Sequence, residues 1–110
     1  MNIQNVPFTT TDWEEIRPVE HKGESGTSFW RMFECGNIRV RIVHYSPGFI
    51  SDHYCSRGHI LLVLEGDLYI KLKDGQIFRL VQEMSFQTED DQTNPHLVYT
   101  ESGAKVFIVD

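Results

Sequence analysis

A short segment near the middle of the chain concentrates side chains that bind metals or act as nucleophiles. This segment, SDHYCSRGH at positions 51–59, holds two of the five histidines and one of the two cysteines in the 110-residue sequence. Imidazole binds Zn, Fe, Ni and Cu, and a thiolate favours the softer of these metals. These residue types leave three interpretations open: a metal site, a cysteine nucleophile with a histidine base, and a polar turn between strands.

The spacing within the segment favours the metal site. His53, Cys55 and His59 are separated by even numbers of residues, so on a continuous strand their side chains would face the same side. The residues SRG at 56–58 are able to break such a strand, in which case only His53 and Cys55 remain a pair. A further ligand must come from elsewhere, and His96 begins a predicted strand that an antiparallel fold can return beside the segment.

Cys55 has several possible roles. As a nucleophile it would use His53 or His59 as its base, but such a pair on one strand has no visible third group to orient the base. In a metal site it would be a ligand, a modulator beside the metal, or a small buried hydrophobic residue. Asp52 has the opposite parity to His53, so it is expected either to support the site or to lie in solvent.

The overall charge limits the classes of partner. The net charge is −6 and the isoelectric point is about 5.3, so neither a nucleic acid nor an anionic membrane surface is expected as a partner. The longest apolar run, ILLVL at 60–64, is too short to span a bilayer, and the N-terminus lacks the features of a signal peptide. We therefore expect a cytoplasmic protein with reduced thiols at Cys35 and Cys55.

Alternating apolar and polar residues predict an all-β domain. In NIRVRIVHY, at 37–45, Ile38, Val40 and Ile42 alternate with arginines, so these aliphatic residues are expected to form the buried face. About eight short strands with frequent turns are typical of a β-sandwich or a small barrel. The other predicted strands are HILLVLEG (59–66), DLYIKLK (67–73), QIFRLVQ (76–82), MSFQT (84–88), HLVYT (96–100) and AKVFIVD (104–110).

Residue types typical of turns, helix caps and loops occur between the predicted strands and near the N-terminus. The dipeptide DG at 74–75 predicts a two-residue hairpin turn of the primed type. Asp12, with Glu15 three residues later, predicts the N-cap of a short helical turn near the N-terminus. EHKGESGTS at 20–28 is expected to be a loop, and EDDQ at 89–92 a solvated charged loop.

Several of these residues match a known family. PG at 47–48, HYC at 53–55, His59 and EG at 65–66 follow the spacing of the first cupin motif, and His96 stands where the second motif has its histidine. The sequence resembles a cupin from about residue 28 onward, and more narrowly a small bacterial group named after a motif of Asp, His, Cys and Trp. The resemblance implies a single domain over 1–110, with an N-terminal arm (1–27) and a double-stranded β-helix, or jelly-roll barrel (28–110).

The resemblance also implies the site. By position, the metal ligands would be His53, Cys55, His59 and His96, although Cys55 replaces the usual second histidine and His59 the usual glutamate. His44 shares the predicted inward parity of its strand, and an aromatic residue is expected between the histidine and the cysteine of the motif. The residues expected to line the pocket or support the ligands are Asp52, Tyr54, His44, Phe86 and Tyr99.

Two functions of different classes follow from this comparison. The first is a metalloenzyme, such as a dioxygenase or isomerase, that uses a divalent transition metal (Zn, Fe, Ni or Cu) on a small molecule. The second is a non-catalytic binding or sensing module with a closed or empty metal site. Four protein ligands would close a tetrahedral site, whereas three would leave a position for substrate. A homodimer is expected because pairing would cover exposed sheet edges.

Overall fold

Almost all regular structure in the chain is β-sheet. The computed structural model describes residues 1–90 and 93–110, so the predicted charged loop at 89–92 lies partly outside the described residues. None of the helices in the described part is long and apolar enough to cross a membrane. A 3-10 helix spans Trp13–Glu15, and the strands of the described residues are β1 (Val19–Lys22), β2 (Thr27–Cys35), β3 (Ile38–Tyr45), β4 (His59–Leu72), β5 (Ile77–Val81), β6 (Ser85–Thr88), β7 (His96–Tyr99) and β8 (Ala104–Val109).

The strands form two layers that share β4. The first half of β4 lies between β8 and β6, and this layer continues from β8 through β3 and β2 to β1. The second half of β4 lies between β5 and β7. All of these pairs are antiparallel, and the apolar core lies between the layers. The predicted all-β jelly-roll barrel with a short N-terminal helical turn is therefore confirmed.

A β-bulge lets β4 serve both layers. The register of β4 against β8 shifts between Val63 and Glu65. Before the shift the buried residues have odd numbers, such as Leu61, and after it they have even numbers, such as Leu68. An extra residue at a bulge is what reverses the side-chain alternation. From the sequence, this one 14-residue strand was predicted as two separate strands.

The prediction for the buried face of β3 is wrong. Arg41 is buried, with 6% of its surface exposed, and Val43 is fully buried, whereas Ile38, Val40 and Ile42 are only partly buried. Alternation separates the two faces of a strand but does not say which one faces the core. An arginine can take the inner face here because a carboxylate and an aromatic ring inside the barrel contact its guanidinium group.

Two other local features differ from the predictions. Residues 20–22 and 27–28, predicted as part of a loop, belong to β1 and the start of β2, which pair as a hairpin around residues 23–26. The segment from Ser51 to Gly58, where a continuous strand would have turned His53 and Cys55 to the same side, contains only one isolated bridge, between Cys55 and His96. The first pairing is local, whereas the second joins Cys55 to a distant part of the chain.

The turns are close to the predictions. Asp12 caps the 3-10 helix by accepting a hydrogen bond from the Glu14 amide at 3.1 Å. The β4–β5 hairpin has a three-residue loop rather than the predicted two-residue turn: the Leu72 amide donates to the Gln76 carbonyl, and the Gly75 amide donates to the Leu72 carbonyl. Gly75 has a φ of 96°, which is typical of a turn that ends in a glycine bulge.

The backbone conformation and close packing of Gly66, at the bend of β4, lead to a prediction about stability. Its φ is 78°, and a Cβ at this position would overlap the Gly103 carbonyl oxygen. Gly75 has a similar φ but open space around it, so it serves as a matched control. Gly75→Ala should lower the free energy of unfolding by about 1 kcal/mol, from backbone strain alone. Gly66→Ala should lower it by about 3 kcal/mol, because strain and overlap combine.

Urea denaturation of both variants measures these differences. Equal losses of stability would contradict the close packing of Gly66 against β8.

Candidate metal centre

Three of the four predicted ligands come together inside the barrel. His59 is the first residue of β4, and His96 is the first residue of β7. Cys55 is tied to His96 by a reciprocal pair of backbone hydrogen bonds, with N–O distances of 2.6 and 2.9 Å. One ligand atom from each of the three residues lies within 4.8 Å of the others, and both histidines are buried.

The two imidazoles are in direct contact. Their Nε2 atoms are 2.7 Å apart, so one ring must donate a proton and the other must accept it. Burial, together with the proximity of His59, lowers the pKa of His96 to about 4. His96 is therefore neutral near pH 7, which is the form of histidine that binds a metal.

The donor set fits a transition metal. Two histidine nitrogens bound at about 2.0–2.1 Å in a tetrahedral site would be separated by about 3.3 Å. The present Nε2 separation would therefore have to widen by about 0.6 Å, a change within the reach of small side-chain rotations. The thiol and the two imidazoles match the N/S ligands that Zn, Fe, Ni and Cu accept.

Asp110 lies behind His59. Asp110 Oδ2 is 3.5 Å from His59 Nδ1, a buried atom with no hydrogen-bond partner among the described residues. This distance is long for a hydrogen bond, but a small rotation of the ring would close it. A carboxylate on the far nitrogen fixes the orientation of a ligating imidazole and raises its basicity. The remaining Nε2 of His59 is directed at His96.

Strand register explains why Asp110 is inside the barrel. Ala104, Val106 and Ile108 face the core, and Asp110 occupies the next position of the same parity. It also exchanges both backbone hydrogen bonds with Arg39 on β3, at 2.6 and 2.9 Å. Its fully buried carboxylate accepts two hydrogen bonds from the Arg39 guanidinium, at 2.8 and 3.0 Å.

The charge of Asp110 is maintained by its neighbours. Burial alone would raise its pKa, but His59, Arg39 and Arg41 together hold the pKa well below the usual range for a carboxyl group. Asp110 is thus ionised throughout the physiological pH range. Arg41 Nη2 contacts it at 3.3 Å, and the more exposed Arg57 approaches it at 3.5 Å.

A cavity of about 150 Å³ adjoins the three candidate ligands. Its polar lining includes Arg39, Arg41 and Tyr45. The Arg41 guanidinium stacks on the Trp30 ring, 4.4 Å from the ring centroid. Burial raises the pKa of Tyr45 to about 12, so this side chain remains a neutral phenol. The cavity therefore combines N/S donors with buried cationic and hydroxyl groups.

The fourth predicted ligand lies apart from this group. His53 borders the same cavity, but its side chain is 72% exposed and its Nδ1 contacts Asp52 Oδ1 at 2.6 Å. Asp52 is itself exposed, and its hydrogen bond to His53 lowers its pKa. The two residues form a surface pair at the cavity mouth. Ligation by His53 therefore stays a prediction.

The predicted pocket residues are distributed over several places. Phe86 packs edge-on against the rings of both His59 and His96, so it supports the ligand pair. Tyr54 lies under the Lys73 ammonium group, and Tyr99 stacks on Tyr69 in the second layer.

The predicted position of His44 has to be corrected. The prediction placed it toward the pocket, but it borders a different surface depression with Lys105, its partner on β8. The cause is the reversed face of β3, since the residues of that strand that line the cavity have odd numbers.

The sequence analysis missed Asp110, the arginines and Trp30 as parts of the site. One signal for Asp110 was present: it continues the inward alternation of AKVFIVD by one position. The roles of Arg39 and Arg41 depend on the register between β3 and β8, which the sequence alone does not contain.

Comparisons with known proteins identify the fold. No protein-family model matches the chain, and no curated protein is significantly similar to it in sequence. A sugar phosphate isomerase of the cupin superfamily from Silicibacter pomeroyi superposes with a TM-score of 0.70 at 16% identity, over 92% of this chain and 74% of that one. Ectoine synthase from P. lautus gives a TM-score of 0.69 at 13% identity, over 93% and 76% of the two chains.

A third structure contains iron. Fe(II)-HppE with an alternative substrate gives a TM-score of 0.75 at 14% identity and covers 94% of this chain. This chain spans only 60% of the length of HppE. The protein described here has the cupin fold, and identities this low show the fold alone. The narrower Asp, His, Cys and Trp group stays a prediction.

Asp110 generates a prediction about stability. Asp110→Asn should lower the free energy of unfolding by about 3 kcal/mol, because it leaves buried guanidinium groups without a counter-charge. Asp52→Asn provides the control: it changes an exposed carboxylate and should leave the free energy of unfolding close to that of wild type. Urea denaturation at pH 7 compares the two, and similar effects would argue against Asp110 as a buried centre of charge.

The raised pKa of Tyr45 predicts how the stability of the fold changes at alkaline pH. The unfolded chain releases the phenolic proton near pH 10, whereas the folded chain keeps it to about pH 12, so unfolding is favoured increasingly over this range. Tyr45→Phe should therefore lose less stability than wild type between pH 10 and 12. Its absorbance titration should also lack a tyrosinate component near pH 12. Identical titration curves for the two proteins would refute the burial of this phenol.

Proposed function

We propose that this cupin is a metalloprotein that binds a divalent transition metal through Cys55, His59 and His96 and acts on a small molecule in the adjoining cavity. The convergence of these three side chains supports the proposal. The buried contact between the two imidazoles puts two nitrogen donors next to a sulfur donor. Three protein ligands leave a coordination position open, which is the arrangement of catalytic rather than structural zinc sites.

The surrounding residues are suited to holding such a centre. Asp110 lies behind His59 and would orient its ring after a small rotation, and the edge-on ring of Phe86 limits rotation of both imidazoles. The Cys55–His96 backbone bridge fixes the distance between the loop and β7. When bound, the metal would supply Lewis-acid chemistry toward a substrate oxygen.

Metal content tests this proposal. The purified protein is loaded separately with Zn, Fe(II), Ni and Cu, desalted, and analysed for metal. Wild type should retain about one ion per chain of at least one metal. His59→Ala and His96→Ala should each retain less than about one tenth of that amount, because each loses a ligand.

His44→Ala is the matched control, since it removes a half-buried histidine from outside the cavity. It should bind metal as wild type does. Wild type without bound metal after loading, or equal loss in all three histidine variants, would overturn the proposed centre.

His53→Ala separates the enzyme from the closed binding module. Because the His53 side chain is exposed and paired with Asp52, we expect this variant to retain metal. Loss of metal as complete as in His96→Ala would instead indicate four protein ligands. A closed site of that kind would favour a binding or sensing module over an enzyme.

A further inference from the structure

We propose that the cavity beside the metal centre recognises a small monocarboxylate, and that Arg41 binds its carboxylate group. The inference rests on the proposed function, since it names the class of small molecule that the centre would act on.

Positive charge exceeds negative charge around the buried Asp110 carboxylate. Arg39 and Arg41 line the cavity, and both contact the Asp110 carboxylate. Arg39 donates two hydrogen bonds to this carboxylate, at 2.8 and 3.0 Å, whereas Arg41 donates one, at 3.3 Å. No second carboxylate forms an ion pair with either arginine among the described residues. One buried positive charge is therefore left uncompensated in a protein whose net charge is −6.

Arg41 also has N–H donors without acceptors among the described residues. A guanidinium group has five N–H donors, and toward the described residues Arg41 donates a hydrogen bond only from Nη2. Its Nε is fully buried and has no hydrogen-bond partner within the described part of the chain. Its side chain is 7% exposed, so bulk water does not compensate for the missing bonds. A carboxylate ligand would supply the acceptors and the charge together.

Trp30 keeps Arg41 in place for this role. The indole ring packs under the guanidinium at 4.4 Å, and the indole Nε1 donates to Ser28 Oγ at 3.0 Å. Stacking on one face leaves the donors at the edge of a guanidinium available to a planar group such as a carboxylate. One face of the Arg41 guanidinium is thus packed against the indole ring of Trp30. Ser28, which anchors that ring, borders the same cavity.

The size of the cavity restricts the ligand further. A volume of about 150 Å³ is enough for a molecule of roughly six non-hydrogen atoms, about the size of benzene. Cys55, His59 and His96 border the same volume, so a molecule held at Arg41 lies close to the metal-binding atoms. A monocarboxylate matches the single uncompensated charge, whereas a doubly charged phosphate would exceed it.

Lactate is a suitable probe because it carries a carboxylate and a hydroxyl group within this size. Isothermal titration calorimetry measures its binding to the metal-free and metal-loaded protein, with the Trp30 indole N–H signal in NMR as a local reporter. Lactate should bind the metal-free protein and shift this signal. Lactamide, the neutral analogue of the same shape, should bind at least about tenfold more weakly.

Substitutions of two arginines test whether lactate binds at Arg41. Arg41→Gln should weaken lactate binding at least about tenfold, and Arg41→Lys should restore part of it through charge without the planar group. Arg57→Gln is the matched control, because Arg57 also approaches Asp110 but is half exposed and does not line the cavity. It should change the affinity by less than about twofold.

Three results would overturn the proposal: equal binding of lactate and lactamide by wild type, undiminished lactate binding by Arg41→Gln, or tighter binding of inorganic phosphate than of lactate. The first and third need no variant, so a folding defect in Arg41→Gln leaves the proposal testable. Because the lactate measurement begins with metal-free protein, failure of metal binding would overturn the proposed centre without affecting the Arg41 result.

Discussion

The buried carboxylate of Asp110 is the interaction on which the rest of the site depends. An ion of this kind in a protein interior carries a large desolvation penalty unless several polar groups surround it. Here the compensating groups come from two different strands, Arg39 and Arg41 on β3 and His59 on β4. Correct pairing of β3, β8 and β4 is therefore needed before the charge can be buried. The same carboxylate lies 3.5 Å behind the imidazole that faces His96.

This arrangement divides the interior of the barrel into two parts. Around Leu68, Ile70 and Leu80 the interior is apolar and tightly buried, which is typical of a region that contributes stability. Around Asp110 it contains charges, imidazoles and unpaired donors, which contribute little to stability by themselves. Proteins commonly depart from regular core packing where they bind ligands. The polar part of this interior is thus where binding is to be expected.

Local signals in the sequence were sufficient for the fold but only partly for the site. Alternation and turn residues identified most strands, because each signal spans a few residues. The buried face of β3 was predicted wrongly because the burial of Arg41 depends on Asp110 and Trp30, both of which are distant in sequence. The shared face expected for His53 and Cys55 assumed a continuous strand before β4, whereas Cys55 is positioned by pairing with His96 rather than by its own neighbours.

The metal ligands could likewise be predicted only in part from local sequence. The residue types and the motif spacing pointed to Cys55, His59 and His96, which the structure brings together. Spacing alone did not distinguish His53 from them, since its outward position depends on the path of the loop and on its contact with Asp52. Asp110 could be placed inside by parity, but its partners could be found only from the register of three strands.

The one-residue shift in β4 has a consequence for how this protein can change over time. His59 and Leu68 point into the same interior only because the chain gains one position between them. A single deletion in this stretch would turn either the imidazole or the following apolar residues outward, whereas many substitutions there would leave both in place. Related sequences should therefore vary in residue identity between His59 and Leu68 more readily than in length.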